Sequence, residues 1–431
     1  MATEPAPAPS DQSIENTLSD QELLTAAPEV LANSLSEYLR AWGQRIRNGE
    51  SGAMPVIVGL VLIMVFFEAE NSSFLHAGDI VNMLVESTIY VMIGAAEIFI
   101  LLLSEIDLSL GFGAGVGAMV VAELIAPPVD FPWWLGILSG MVVVGALGAL
   151  QGSLVSRIGL PSFVVTLGGQ LAFQGLLLVV ANADSSTVGG TVQIDPSSPV
   201  YKLVNSTMST GLSWGVMIAA VALFAAASLW KTRARRSRGL TTPPLGVTGI
   251  TIVGAFVGGV ALELICDANK PVEGMPWVFP FVLVVLAFYS WLLSRTRIGR
   301  YIYAVGASPE AARRAGINVK WVVTFAFIMA GITACLAGVI YESSSGSMSI
   351  DINGGQLVLF AVATAVIGGT SLFGGRGKIF NALLGGVVIA VVYNGLSIMG
   401  AGAAAEDIAV AVVLILAVTL DALVRRRSTT R

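Results

Sequence analysis

The chain has 431 residues, 55% hydrophobic and only 12% charged, with a mean hydropathy of +0.81 and a formal net charge of -5. Soluble domains carry roughly 25% charged residues, so this composition excludes a soluble, disordered or disulfide-stapled chain and places the protein in a membrane. A nucleic-acid partner is excluded by the lack of a basic face. Cys266 and Cys335 lie in separate apolar segments and read as buried small hydrophobes, and the lone His76 has no nearby Cys with which to hold zinc.

In chain order, residues 1–27 are rich in Pro, Ala, Ser and acids and read as a disordered cytoplasmic tail. They lack the basic and apolar regions of a signal peptide. Leu31, Leu35, Leu39 and Trp42 recur at helical spacing, with Glu37, Arg40 and Arg45 elsewhere, so residues 28–46 form an amphipathic helix lying on the membrane surface. Residues 53–424 form the transmembrane domain. The fold class is an all-α polytopic membrane protein of about twelve transmembrane helices. Crossing the hydrocarbon core takes roughly 20 residues, and the apolar runs fall at 53–68, 87–104, 110–127, 133–151, 162–181, 213–230, 245–266, 277–294, 321–341, 355–371, 378–398 and 405–424. The runs 87–104, 110–127 and 355–371 are the ones that re-entry would shorten, because polar residues or Gly interrupt them.

In that frame 21 of the 23 Lys and Arg fall on one side, and only Lys202 and Lys270 on the other. The positive-inside rule then puts both termini in the cytoplasm, including a basic tail at 425–431. Gly136 with Gly140, Gly148 with Gly152, and Gly254 with Gly258 have the four-residue spacing of close helix packing. The run Gly374-Gly375-Arg376-Gly377-Lys378 fails as a phosphate loop, because Leu372 and Ile379 stand where the pattern needs Gly and Ser or Thr. It reads as a turn reversing two spans. Trp133, Trp134, Trp214, Trp230, Trp277, Trp291 and Trp321 sit near span ends as an aromatic belt.

Glu97 lies well inside a span. It either lines a pathway or makes a structural hydrogen bond, since a charge facing lipid is costly. Asp107 and Ser109 stand at a break before Leu110, where they can cap the following helix or serve a gate. Asn394 bridges helices or meets a polar solute. Glu123 and Glu263 lie near outer ends and read as solvated.

The inner loop 294–320 carries the strongest local signal. Ser308, Pro309 and Glu310 form a helix start, and Gly316 ends the short helix after residue 315. Arg297, Gly299, Arg300, Tyr303, Ala304, Gly306, Ala311, Ala312, Gly316 and Ile317 also follow one spaced pattern. That pattern resembles the permease subunits of bacterial ABC importers for monosaccharides, the ribose, xylose and arabinose group. Ile106-Asp107-Leu108-Ser109-Leu110-Gly111, Pro161 to Gly168 and Ile367 to Gly377 resemble three further motifs of that family.

The resemblance implies a family core of about ten spans, here with two more at 213–230 and 245–266, as in xylose-type and multiple-sugar permeases. It implies a non-enzymatic translocation subunit in the bacterial inner membrane. Its partners would be a second copy, a periplasmic sugar-binding protein, and a cytoplasmic ABC ATPase that carries the ATP and Mg. The short helix would be a cytoplasmic coupling helix. The coupling residues would be Gly299, Arg300, Tyr303, Ala304, Gly306, Pro309, Glu310, Ala311 and Gly316. D-xylose is the expected substrate, with Glu97, Asp107 and Asn394 as pathway or gate candidates. A proton-coupled secondary transporter, with Glu97 as proton carrier, is the rival class, and a passive channel or scaffold the third.

Overall fold

The computed structural model describes residues 54–182, 190–238, 242, 245–270 and 272–429. The expected tail 1–27 and surface helix 28–46 lie outside the described residues, as do the side chains of the tail 425–431. The chain divides into two compact units. Gly211–Leu264 belongs to one, and Gly52–Thr210 with Ile265–Arg431 forms the other.

The helices are α1 (Met54–Glu70), α2 (Ala77–Leu101), α3 (Leu110–Ile125), α4 (Trp133–Ser153, continued by a wide π turn Leu154–Ile158), α5 (Ser162–Ala181), α6 (Pro199–Asn205), α7 (Thr210–Arg236), α8 (Leu245–Ala268), α9 (Val278–Arg295), α10 (Arg297–Ala307), α11 (Pro309–Arg314), α12 (Val319–Ser344), α13 (Gly354–Ile367), α14 (Asn381–Ile398) and α15 (Ala403–Thr429). Two short strands, β1 (Thr191–Gln193) and β2 (Ser347–Ser349), pair antiparallel with Val192 opposite Met348.

The expectation of about twelve spans is corrected. Among the described residues eight helices are long and apolar enough to cross a membrane: α2, α4 with its π turn, α5, α7, α8, α9, α12 and α14. The shortfall lies where hydropathy alone overcounts. α1 has 17 residues, α3 has 16 and α13 has 14, against the roughly 20 that a crossing needs. α15, over the expected span 405–424, is not among the eight. The 21-to-2 ledger needed all twelve crossings, so the sidedness it assigned to the termini goes with it.

α2 is the centre of the larger unit and is buried without interruption from Ser87 to Leu101. α12, α13 and α14 pack around it. Small residues permit this, since helices in lipid associate through van der Waals contact at close range. On α14, a Cβ at Gly385 would run into the Thr364 carbonyl of α13, and one at Gly386 would lie 2.8 Å from the Val91 nitrogen of α2. The expected pairs Gly136 with Gly140 and Gly148 with Gly152 behave alike. A Cβ at Gly140 would lie 2.8 Å from the Gly117 carbonyl oxygen, and one at Gly152 2.8 Å from the Thr324 Cα. Gly254 and Gly258 do not follow, because both face open space.

In the smaller unit the Ser213 hydroxyl donates to Glu263 Oε2 at 2.6 Å, and both residues are fully buried. Glu263 was expected in solvent. Its place one turn before the end of α8 concealed that the hydroxyl of α7 would meet it. Cys266 and Cys335 are both buried.

Candidate functional site

One end of the larger unit is basic. Arg295, Arg297, Arg300, Arg313, Arg314 and Lys320 surround α10 and α11, and Arg376 and Lys378 sit in the turn after α13. Two helices form the surface here where one was expected. The Thr296 hydroxyl caps α10 by accepting from the Gly299 amide at 3.2 Å. The Ser308 hydroxyl caps α11 by accepting from the Ala311 amide at 3.2 Å, with Pro309 in the first turn. Gly316, at φ 81°, ends α11, and the Ile317 amide reaches back to the Ala312 carbonyl at 3.0 Å.

α10 is amphipathic. Gly299, Ile302, Val305 and Gly306 are buried, Tyr303 and Ala304 are half-buried, and Arg300 is exposed. Its buried face is locked to the interior. A Cβ at Gly306 would collide with the carbonyl of Leu102, at the end of α2. A Cβ at Gly299 would collide with the Leu293 carbonyl of α9. The Tyr303 hydroxyl donates to the Gly377 carbonyl at 2.8 Å, and burial raises the pKa of its phenol, which keeps the donor proton. The glycine-rich turn closes the junction. Gly374 and Gly375 sit at φ 76° and 68°, and the Gly375 amide donates to that same Leu102 carbonyl at 2.9 Å. The Ser104 hydroxyl donates to the Phe373 carbonyl at 2.7 Å. α10, the end of α2 and the turn between α13 and α14 are thus one mechanical joint. Pro309, Glu310, Ala311 and Gly316 are all exposed, with Glu310 and Arg314 3.7 Å apart one turn along.

The second site is the break between α2 and α3. After Ser104, at φ 64°, the chain folds back so that Asp107 lies beside Glu97. Both are buried, at 2% and 0% exposure, and the Asp107 backbone amide faces the Glu97 carboxylate. Asp107 Oδ1 accepts from the Ser109 amide at 2.8 Å and from the Ser109 hydroxyl at 2.6 Å. Asp107 therefore takes one free amide, while the Ser109 side chain caps nothing. Gln151 Nε2 of α4 donates to the Ser109 oxygen at 2.9 Å. Thr166 of α5 donates to the Ile106 carbonyl at 3.3 Å, and the Ile106 amide reaches the Ser162 hydroxyl at 3.4 Å.

Sequence reasoning missed Gln151, Ser162 and Thr166. The available signal was the one amide side chain in α4. Asn394 is not part of this group. It sits on α14, 8% exposed, with its Oδ1 lacking a hydrogen-bond partner. Next to it in sequence, Tyr393 joins Tyr90 and Phe360 in a three-ring cluster with centroids 5.2 to 6.5 Å apart.

Residues 79–419 match the family described as branched-chain amino acid transport system / permease component. The chain belongs to this permease family. The permease is 32% identical over 379 residues to the xylose transport system permease protein of Escherichia coli K12, covering 86% of this chain and 92% of that one. It is 30% identical over 366 residues to the D-allose transport system permease protein of the same organism, covering 85% and 90%. It is 26% identical over 417 residues to the fructose import permease protein of Rhizobium meliloti, covering 96% of both. No solved structure matches the permease.

Proposed function

We propose that the chain is the membrane subunit of an ATP-driven importer that carries a monosaccharide, D-xylose being the first candidate, across the bacterial inner membrane. One observation carries this reading: relatives named for xylose, D-allose and fructose transport align with nearly the whole chain. The family description names amino acids instead, and the buried chemistry favours the sugars. The buried polar residues among those described are acids, hydroxyls and amides, with no Lys or Arg. Such a set suits an uncharged polyol better than a zwitterion, whose carboxylate needs a positive partner.

In this reading the chain does no covalent chemistry. ATP and Mg belong to a separate ATPase, a periplasmic protein delivers the sugar, and two copies of the permease form the pathway. The ATPase engages α10 and α11 at the basic, cytoplasmic end. A push on α10 passes through Gly306 and Tyr303 to the end of α2, and from there to the break that holds Asp107. Buried carboxylates, Glu97 and Asp107 among them, favour proton coupling instead.

The test is uptake by proteoliposomes holding the permease, its ATPase and its binding protein. ATP-dependent accumulation of labelled D-xylose, uncompeted by excess L-leucine, is the expected result. Uptake driven by a proton gradient with the ATPase inactivated would overturn it.

A further inference from the structure

The opposite end of the larger unit holds a cavity of about 690 Å³, within the range of roughly 300–1,000 Å³ typical of small-molecule sites. The end of α3, the turn leading to α4, the stretch from β1 into α6, and the turn before β2 surround it. Its chemistry is mixed. Phe131, Trp133 and Tyr201 offer aromatic faces, Asp130 and Asp195 offer carboxylates, and Gln193 an amide.

The walls are fixed before any ligand arrives. Asp130 holds a left-handed backbone at φ 51°, rare for a residue with a side chain, and hydrogen bonds from its own amide to the Ala126 carbonyl and from the Phe131 amide to the Leu124 carbonyl pin that turn at 3.1 and 2.9 Å. Asp195 Oδ1 accepts from the Ser197 amide at 2.7 Å, which lowers its pKa and keeps it ionised. The Ile194 amide ties the far wall to the Gly346 carbonyl at 3.1 Å. Trp133 and Phe131 are nearly half exposed, at 45% and 42%. An aromatic belt accounts for a tryptophan at a span end; it does not account for two carboxylates and an amide lining the same preformed cavity.

We propose that this cavity is a weak saccharide site, an antechamber that receives a monosaccharide before it enters the polar core. The proposal rests on the sugar-importer reading. A pyranose presents C–H faces to aromatic rings and hydroxyls to acceptors, and a carboxylate binds a hydroxyl more strongly than a neutral acceptor does.

The test uses the permease–ATPase complex in lipid nanodiscs without the binding protein. Saturation-transfer difference NMR is recorded with D-xylose and with L-leucine. Xylose ring protons should receive saturation and leucine should not. Trp133→Ala should cut the xylose signal about tenfold, and so should the double variant Asp130→Asn with Asp195→Asn. Asn tolerates the left-handed backbone at 130 and still accepts the Ser197 amide, so both turns survive. Ser345→Trp, on the rim, should block the cavity with both carboxylates intact. Basal ATPase rates should match the wild type throughout.

Absent transfer in the wild type, or equal transfer in all three variants, would overturn the antechamber. ATP-driven xylose uptake by the same preparation, with binding protein added, separates the two failures. Uptake without transfer sinks the antechamber and leaves the importer reading standing, whereas leucine uptake without xylose uptake sinks both. If the carboxylate variant weakens binding-protein docking while xylose transfer is unchanged, the cavity is a protein-docking surface and the proposal fails.

Discussion

Gly306 shows how a single missing Cβ fixes the inner joint. Its neighbour is the Leu102 carbonyl, 204 positions earlier in the chain. A backbone atom cannot rotate away, so Gly306→Ala forces α10 off the end of α2. Overpacking of this kind costs roughly 1–3 kcal/mol. The expected outcome is a folded permease of lower melting temperature whose ATPase partner no longer responds to loaded binding protein. Tyr303→Phe is the milder probe, since it removes one hydrogen bond worth about 1 kcal/mol. A thermal melt and stimulated ATPase rates on both variants check this. A Gly306→Ala complex with wild-type stimulation would break the argument. Gly306 stood out in the sequence through its spacing, but the contact that explains it was invisible, because nothing local to residues 297–307 names Leu102. Gln151 was hidden for the same reason: its partner Ser109 comes from another helix.

Helices whose chemistry is local were legible, and those made by packing were not. α11 follows from Ser308, Pro309, Glu310 and Gly316, and the structure ends it at Arg314, one residue short of expectation. α10 was overlooked although Thr296 caps it, because its buried residues Gly299, Ile302, Val305 and Gly306 include two glycines that add nothing to a hydrophobic pattern. α3 and α13 were counted as spans because they are apolar, although the polar residues and glycines beside them had already marked those runs as ones that re-entry would shorten, and they reach only 16 and 14 residues. The two caps yield a graded test. Thr296→Ala and Ser308→Ala should each remove about 1 kcal/mol of local helix stability. Both should loosen amide exchange protection confined to α10 and α11. Arg300→Glu leaves both helices capped and should instead weaken ATPase binding, most visibly at low salt, where exposed charges are least screened. Exchange protection lost evenly across the chain in the cap variants would show that these helices are not separate elements.

At the scale of the whole molecule, the distribution of charge supports one proposed orientation of the permease. The larger unit carries Arg295, Arg297, Arg300, Arg313, Arg314, Lys320, Arg376 and Lys378 at one end, while the cavity at the other carries Asp130 and Asp195. α12 connects the two, from Val319 beside α11 to Ser344 beside β2. This segregation survives the correction from twelve spans to eight because it uses one unit and one continuous helix rather than a parity count. By the positive-inside rule we propose that the α10–α11 end faces the cytoplasm. Both native thiols are buried, so a single introduced cysteine reports alone. Ser308→Cys and Ser345→Cys mark the two ends of the unit. A membrane-impermeant maleimide applied to intact spheroplasts should modify Cys at 345 and spare Cys at 308, and inverted vesicles should give the reverse. Labelling of both from one side would mean that α12 does not cross, and the proposed coupling path from α10 to the break at Asp107 would then have no membrane to act across.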